Sequence, residues 1–346
     1  MKPACVQLIK EMIKQKYISV HKHPTFDLYI YNYTKQTEAE HVWNEATETC
    51  RGLILDKDMN IVARPFTKFF NYEELVEQHV NIPDLPFEVY EKLDGSLGIM
   101  YFANSDPYIA TRGSFDSDQA VHANEILYKK YIDKIRSLDQ SKTYLFEIIY
   151  NDPKVRSNLI VDYGDTDDLF LLAVIDNETG LEDDIDNYKY IFKTAQRYGS
   201  VKDYLQFREE QSGRNREGFV IKFANGFRMK LKFAEYFRAH SVKSHLNRKK
   251  ILDTIKNGNI FDLRKKVQDL DSEECLIYFD NVVNEINMKY NDIVQQCSKD
   301  LQANQFTDRK SVAKYFQQCK YPAILFSMFD GKPFEDLVWK VIERDV

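Results

Sequence analysis

No stretch of this 346-residue chain is apolar for the ~18 residues that a membrane-spanning helix needs. The opening segment, Met1 to Lys16, mixes lysine with Leu, Ile and Met at helical spacing. It lacks the apolar core and small-residue cleavage site of a secretory leader. Cysteine is sparse. Cys5, Cys50, Cys275, Cys297 and Cys319 are odd in number and widely spaced, and no Cys-x-x-Cys occurs. That pattern argues against a disulfide framework and against a zinc site. Internal repeats and low-complexity tracts are missing too, which removes solenoids and disordered tails. The expectation is an intracellular protein with no membrane role.

What is there is ordinary in amount and uneven in placement. Hydrophobic residues make up 43% and charged residues 29%, and 22 Tyr with 23 Phe can fill a sizeable core. The net charge of −6 does not suggest a nucleic-acid binder. The distribution does: Arg208 to Lys250 holds twelve Lys or Arg against four Glu, whereas Ser157 to Tyr188 holds ten Asp or Glu and no base. A basic face steers a polyanion even on an acidic chain.

Hydrophobic period sets the organisation. Residues 4–16 predict an amphipathic helix, and Ile18 to Tyr33 predicts strands. Arg51 to Asp56 and Ile61 to Arg64 predict a hairpin. Strands are expected over 97–102, 108–111, 143–150 and 169–175, with a helix over 117–136 and another over 185–205. Asn225-Gly226 signals a hairpin joining Glu217–Phe223 to Phe227–Phe233. Beyond residue 245 the pattern turns helical, over 273–301, 309–319 and 334–344, with Pro322 and Gly331 as punctuation. The expected domains are therefore a mixed one, 1–245, and a small helical one, 246–346.

One stretch draws the chemistry together, Val89-Tyr90-Glu91-Lys92-Leu93-Asp94-Gly95. An apolar strand delivers a lysine, a carboxylate follows two residues later on the same side, and a glycine lets the chain turn or a phosphate approach. Further charges are expected on strands: Arg51, Lys68, Arg112, Glu147, Glu217, Lys222, Lys230 and Lys232. Cations match a polyphosphate; carboxylates match a hard divalent metal or a ribose hydroxyl. A free lysine has a pKa of ~10.4, so a nucleophilic Lys92 needs that value lowered, by burial, a metal or neighbouring cations such as Lys230 and Lys232.

Lys92-Leu93-Asp94-Gly95 resembles motif I of the covalent nucleotidyltransferases, the polynucleotide ligases and mRNA capping enzymes. Phe146-Glu147 resembles motif III, Glu217 to Lys222 motif IV, and Lys230-Leu231-Lys232 motif V, in the family's order. With Cys50-Arg51-Gly52, Arg64 to Asn71 and Thr111 to Ser114, the set is similar to the RNA ligase 1 family of T-even phages, which seals broken tRNA. The resemblance covers residues of about 45–245 and is thin in the tail. It implies an α+β protein, an antiparallel-sheet nucleotidyltransferase domain followed by a small all-helical domain that serves RNA specificity.

The resemblance also implies roles. Lys92 would carry AMP, with Lys230 and Lys232 catalytic beside it. Arg51, Lys68 and Arg112 would hold ATP phosphates or the RNA 5′-phosphate, although relatives usually carry lysine where this chain has Arg112. Glu91 would contact adenine, Val220 would pack on its face, and Glu147 would meet the ribose. Asp94, Glu147 and Glu217 would serve Mg²⁺, with Mn²⁺ as the alternative. The implied substrates are ATP and RNA with 5′-phosphate and 3′-OH ends, such as a cleaved tRNA anticodon loop. The implied partner is an end-healing polynucleotide kinase/phosphatase, in the cytoplasm or as a viral protein in a host cell. The rivals are a DNA ligase, a capping-type nucleotidyltransferase and a catalytically inactive RNA-binding relative. The helical tail speaks against the first two, which usually append a β-rich domain.

Overall fold

The alternation that marks the strands also decides which side chains reach the pocket. In the computed structural model, which describes residues 3, 5–150, 160–237, 248–268, 273–303 and 308–344, the chain divides into two compact units, Met1–Tyr236 and Phe237–Val346. The boundary expected at 245 lies outside the described residues.

The first unit holds three sheets. Strands β1 (Ile18–Lys22), β2 (Leu28–Tyr33), β3 (Arg51–Asp56) and β4 (Ile61–Ala63) form an antiparallel meander. The second and third sheets share β5 (Phe87–Lys92), β6 (Ser96–Ala103), β7 (Asp106–Thr111), β8 (Lys142–Ile149), β9 (Asp168–Asp176), β10 (Lys193–Thr194), β11 (Arg197–Tyr198), β12 (Gly218–Phe223) and β13 (Arg228–Lys232). Their orders are β10-β9-β8-β6-β7 and β11-β5-β12-β13. Every named pairing is antiparallel except β10 with β9.

The second sheet is buried on both faces. Tyr144, Phe146 and Ile148 pack with Ala123, Leu127 and Tyr131 from residues 118–135. Leu145 points the other way, into the core shared with Ile30 and Ile54 of the meander. Glu147 has the same parity as Leu145, so alternation aims a carboxylate at the side where the pocket opens. The predicted helix 117–136 is present, with Ala120, Ala123, Ile126, Leu127, Tyr131 and Ile135 all buried, but Leu127–Tyr131 widens into a π-turn.

In the third sheet Val89, Phe219, Ile221, Met229 and Leu231 form one apolar face. The other face is set by register: Gly218 opposes both Lys92 and Lys232, and Val220 opposes Tyr90 and Lys230.

The helix expected over 185–205 is not formed. Ile185–Tyr188 makes one 3₁₀ turn, Ile191 and Phe192 enter the core, and β10 and β11 pair with β9 and β5. Strand pairing and burial override the helical spacing. A helix starts only at Tyr204, where Asp203 Oδ1 accepts from the N–H groups of Leu205 and Gln206 at 2.8 and 3.0 Å.

The second unit is helical throughout its described residues: 248–256, 260–268, 273–302, 309–316, 322–329 and 335–343, around a core with Phe279, Ile286, Phe316 and Leu325. The helices 248–256, 260–268 and 322–329 were not expected. Pro322, read as punctuation, sits at the first helical position, where its missing N–H costs nothing. Among the described residues no helix is long and apolar enough to cross a membrane.

Gly218 holds φ +148°, and a Cβ there would lie 2.3 Å from the Leu231 carbonyl oxygen and 2.7 Å from Lys232 Cα. Gly218→Ala should therefore lose about 1–3 kcal/mol of stability, read as a lower urea midpoint. An unchanged midpoint would show that the β12–β13 backbone yields freely.

Candidate active site

Glu217 is 3% exposed and lies between two lysines. Lys92 Nζ donates to its Oε2 at 2.7 Å and Lys232 Nζ to its Oε1 at 2.8 Å. Burial works to raise the Glu217 carboxyl, but Lys92 and Lys232 outweigh it and hold the group below the usual range. Burial likewise works to lower Lys92, but Glu217, Glu147 and Asp94 outweigh it, so its ammonium is held above the ordinary lysine value. The expectation that neighbouring cations lower Lys92 is thus reversed in this state, because the carboxylates stand closer.

Among the lysines of the cavity, Lys230 is shifted down. Burial, then Arg51, Lys92, Lys68 and Lys232, bring it to about 7. Arg51 Nη1 is buried without a hydrogen-bond partner, and both Arg51 and Lys230 flank the Phe69 ring, at 5.9 and 5.2 Å. An orphaned guanidinium donor beside an uncompensated lysine fits a bound polyanion.

These groups line a cavity of about 510 Å³. Of the predicted residues, Arg51, Glu91, Lys92, Glu147, Val220, Lys222, Lys230 and Lys232 line it. Glu217 stands behind the two lysines. Lys68 and Arg112 do not line it. Lys68 Nζ sits among the rings of Trp43, Phe70 and Tyr33 at 4.6, 5.2 and 5.4 Å, and Arg112 donates to the Tyr33 hydroxyl at 2.8 Å. Glu91 has the opposite strand parity to Lys92, and its carboxylate stands 3.8 Å from Arg216. Lys68, Asp94, Arg112 and Glu217 lie just outside strands rather than on them.

The metal set expected from Asp94, Glu147 and Glu217 is not assembled. No group of three or more His, Cys, Asp or Glu placed to hold a metal occurs among the described residues. Both Glu217 oxygens face lysines. Asp94 Oδ2 accepts from the N–H groups of Ile160 and Val161 at 2.7 and 3.0 Å, and its Oδ1 accepts from the Tyr236 hydroxyl at 3.0 Å. Asp94 therefore pins a distant loop. Glu147 Oε1 accepts from Gly95 N–H at 2.9 Å, and burial pushes its carboxyl up to about 7 despite Lys92. A Cβ at Gly95 would lie 2.6 Å from the Ile148 carbonyl oxygen, so the glycine lets the Lys92 segment close onto β8.

Several wall residues carried no sequence signal of their own. Glu182 pairs with Lys222 at 2.9 Å and with Arg228, and Arg197 pairs with Glu88 at 3.2 Å. The acidic run was visible, but nothing local said that Glu182 would meet bases 40 and 46 positions on.

The depressed Lys230 makes a pH prediction. Its stabilising contribution is present above the unfolded value near 10.5 and is lost as pH falls through about 7. Lys230→Met should therefore gain on the wild type between pH 10 and pH 7, by on the order of 2–4 kcal/mol. Urea unfolding at both values tests this; parallel curves would mean that Lys230 is not desolvated.

Comparison with known proteins bears on the same residues. A family model described as RNA ligase matches residues 49–237. A candidate bifunctional polynucleotide kinase/RNA ligase of Autographa californica nuclear polyhedrosis virus is 24% identical over 279 residues, covering 72% of this chain and 39% of that protein. A candidate RNA ligase of Thermovibrio ammonificans is 30% identical over 207 residues, covering 55% and 52%. An RNA ligase of Rhodothermus phage RM378 is 28% identical over 196 residues, covering 44% and 43%. The chain thus spans about two fifths to one half of the length of these relatives. Among solved structures, a candidate ATP-dependent DNA ligase from Aquifex aeolicus matches with a TM-score of 0.50 at 14% identity, covering 91% of this chain and 89% of that one, a likeness of fold.

Proposed function

The chain belongs to the RNA ligase family, and from that premise we propose that it joins RNA ends with ATP through a nucleotide carried on Lys92. The observation that carries this reading is the buried Lys92–Glu217–Lys232 chain beside a cavity in which Arg51 Nη1 has no hydrogen-bond partner and Lys230 is surrounded by other cations.

In this reading the triphosphate lies along Arg51, Lys230 and Lys232, with the base toward Tyr90 and Val220. Lys232 turns from Glu217 to the phosphates. Glu217 then loses one of the two cations that keep it ionised and becomes a better acceptor for the Lys92 proton across the 2.7 Å hydrogen bond. Neutral Lys92 attacks the α-phosphorus, and pyrophosphate leaves. AMP passes to the 5′-phosphate of RNA, and a 3′-OH displaces it as the strands join. Each step is an in-line exchange governed by positioning and charge neutralisation. A divalent cation, Mg²⁺ or Mn²⁺, would supply further neutralisation of the triphosphate. The expected carboxylate set does not gather for it, so no step is assigned to a protein-held metal.

A 5′-phosphate must be present before AMP can be transferred. The name of the baculovirus relative joins a kinase to a ligase, which supports pairing this chain with an end-healing kinase. We extend the reading to cleaved tRNA as substrate, a cytoplasmic setting, and the helical unit 237–346 as the RNA-specificity module.

Incubation with α-labelled ATP and Mg²⁺ tests the core of it. The wild type should retain label that survives SDS and alkali and is released by acid, as a phosphoramidate is. Lys92→Ala should retain none, and Lys232→Ala should label at least about tenfold more slowly. Equal label on Lys92→Ala would end the proposal, and label from GTP alone would favour a capping-type enzyme.

A further inference from the structure

A second cavity, of about 650 Å³, lies on the other side of Phe66 and Phe69, the two aromatic residues that line both spaces. Its volume is that of a small-molecule site. It is rich in rings: beside those two, Trp43, Phe70 and Phe227 line it. Trp43 and Phe70 meet edge to face at 5.5 Å, with Lys68 Nζ 4.6 Å from the indole.

Its charges cancel. Arg64, Lys68 and Arg228 stand against Glu45, Glu48 and Glu182, and Arg228 already pairs with Glu182. No surplus is left for a phosphate. One buried donor, Arg64 Nε, has no hydrogen-bond partner. A neutral, aromatic-lined space with one waiting donor suits an uncharged group with a π-face and an acceptor, which describes a nucleobase on its ribose.

The shared wall says which nucleoside. Phe69 carries Arg51 and Lys230, the cations that face the nucleotide cavity. A phosphate held by those cations is one ring's thickness from this second space. We propose that the cavity holds the first nucleoside of a 5′-phosphorylated RNA strand, with its terminal phosphate reaching past Phe69 toward the AMP on Lys92. This rests on the RNA ligase reading and adds to it the place of the strand that accepts AMP.

Two measurements on the full chain test the site. In Trp339→Phe, Trp43 is the remaining tryptophan. Titration with a 5′-phosphorylated single-stranded hexaribonucleotide should quench its fluorescence saturably, and a 5′-hydroxyl hexamer should need a much higher concentration. This readout requires no catalysis, so it stands even if Lys92 takes no label and the ligase reading fails. No quenching, or equal quenching by both hexamers, would overturn the assignment. In the second measurement, Trp43→Leu and Phe227→Leu are first labelled with α-labelled ATP, which should proceed at the wild-type rate and also reports that each variant is folded. A chase with the phosphorylated hexamer should then show a half-saturating RNA concentration raised about tenfold, the effect of losing one base–aromatic stack. An unchanged half-saturation in both variants would likewise overturn the assignment.

Discussion

Glu217 is the constraint on which the site depends. A carboxylate 3% exposed is tolerable because Lys92 and Lys232 meet its two oxygens, with the Tyr236 hydroxyl beside them. Removing one partner of such a buried pair typically costs about 3–5 kcal/mol, since the other charge is stranded. The two lysines, 19% and 17% exposed at their side chains, gain a buried counter-charge from Glu217 in return. In the proposed reaction the arrangement would store the nucleophilic lysine in its protonated, unreactive form. It also makes release conditional on something that can replace Glu217 as the partner of Lys232, and a polyphosphate is such a partner.

That geometry follows from register. Strand β5 and the remote hairpin β12–β13 are paired so that Gly218 opposes both Lys92 and Lys232. Glu217, one residue earlier, is thereby delivered between them. A one-residue slip in either pairing would turn the lysines into the apolar face with Phe219 and Leu231. The apolar alternation that secures the core and the cationic alternation that builds the pocket are two faces of the same pairing.

Legibility in the sequence divides along the same line. Lys92, Lys230 and Lys232 were readable because strand period is local: alternation within five to seven residues fixes a face. Val220 was placed at the pocket only by the family resemblance, and it lines the cavity. Glu147 was readable as a polar intruder in an apolar run. Asp94, expected beside the metal, instead accepts from the N–H groups of Ile160 and Val161 and the Tyr236 hydroxyl, partners 66 to 142 positions away that leave no local mark in the sequence. The segment 185–205 failed for a related reason. Its apolar spacing suits a helix, but neighbouring strands offered edges, and edges leave no local mark. Pro322 misled by position: a proline at the first turn opens a helix, and the sequence does not say which end it marks.

The two expectations about lysine activation, lowered pKa and cationic help, attach to different residues than the sequence suggested. Lys230 has the lowered value, near 7, and Lys92 the raised one. The distinction lies in what each lysine faces. Lys230 faces Arg51, Lys68, Lys92 and Lys232, and Lys92 faces Glu217, Glu147 and Asp94. The pocket is only partly neutralised internally: Glu217 holds Lys92 and Lys232, and Glu182 holds Lys222 and Arg228, but Lys230 is left among cations. In the proposed reaction an incoming polyanion would settle against Lys230 and Arg51, raise Lys230, and draw Lys232 away from Glu217. Its binding energy would thereby be spent on loosening the proton of Lys92, so that the lysine would become a nucleophile only with its substrate in place.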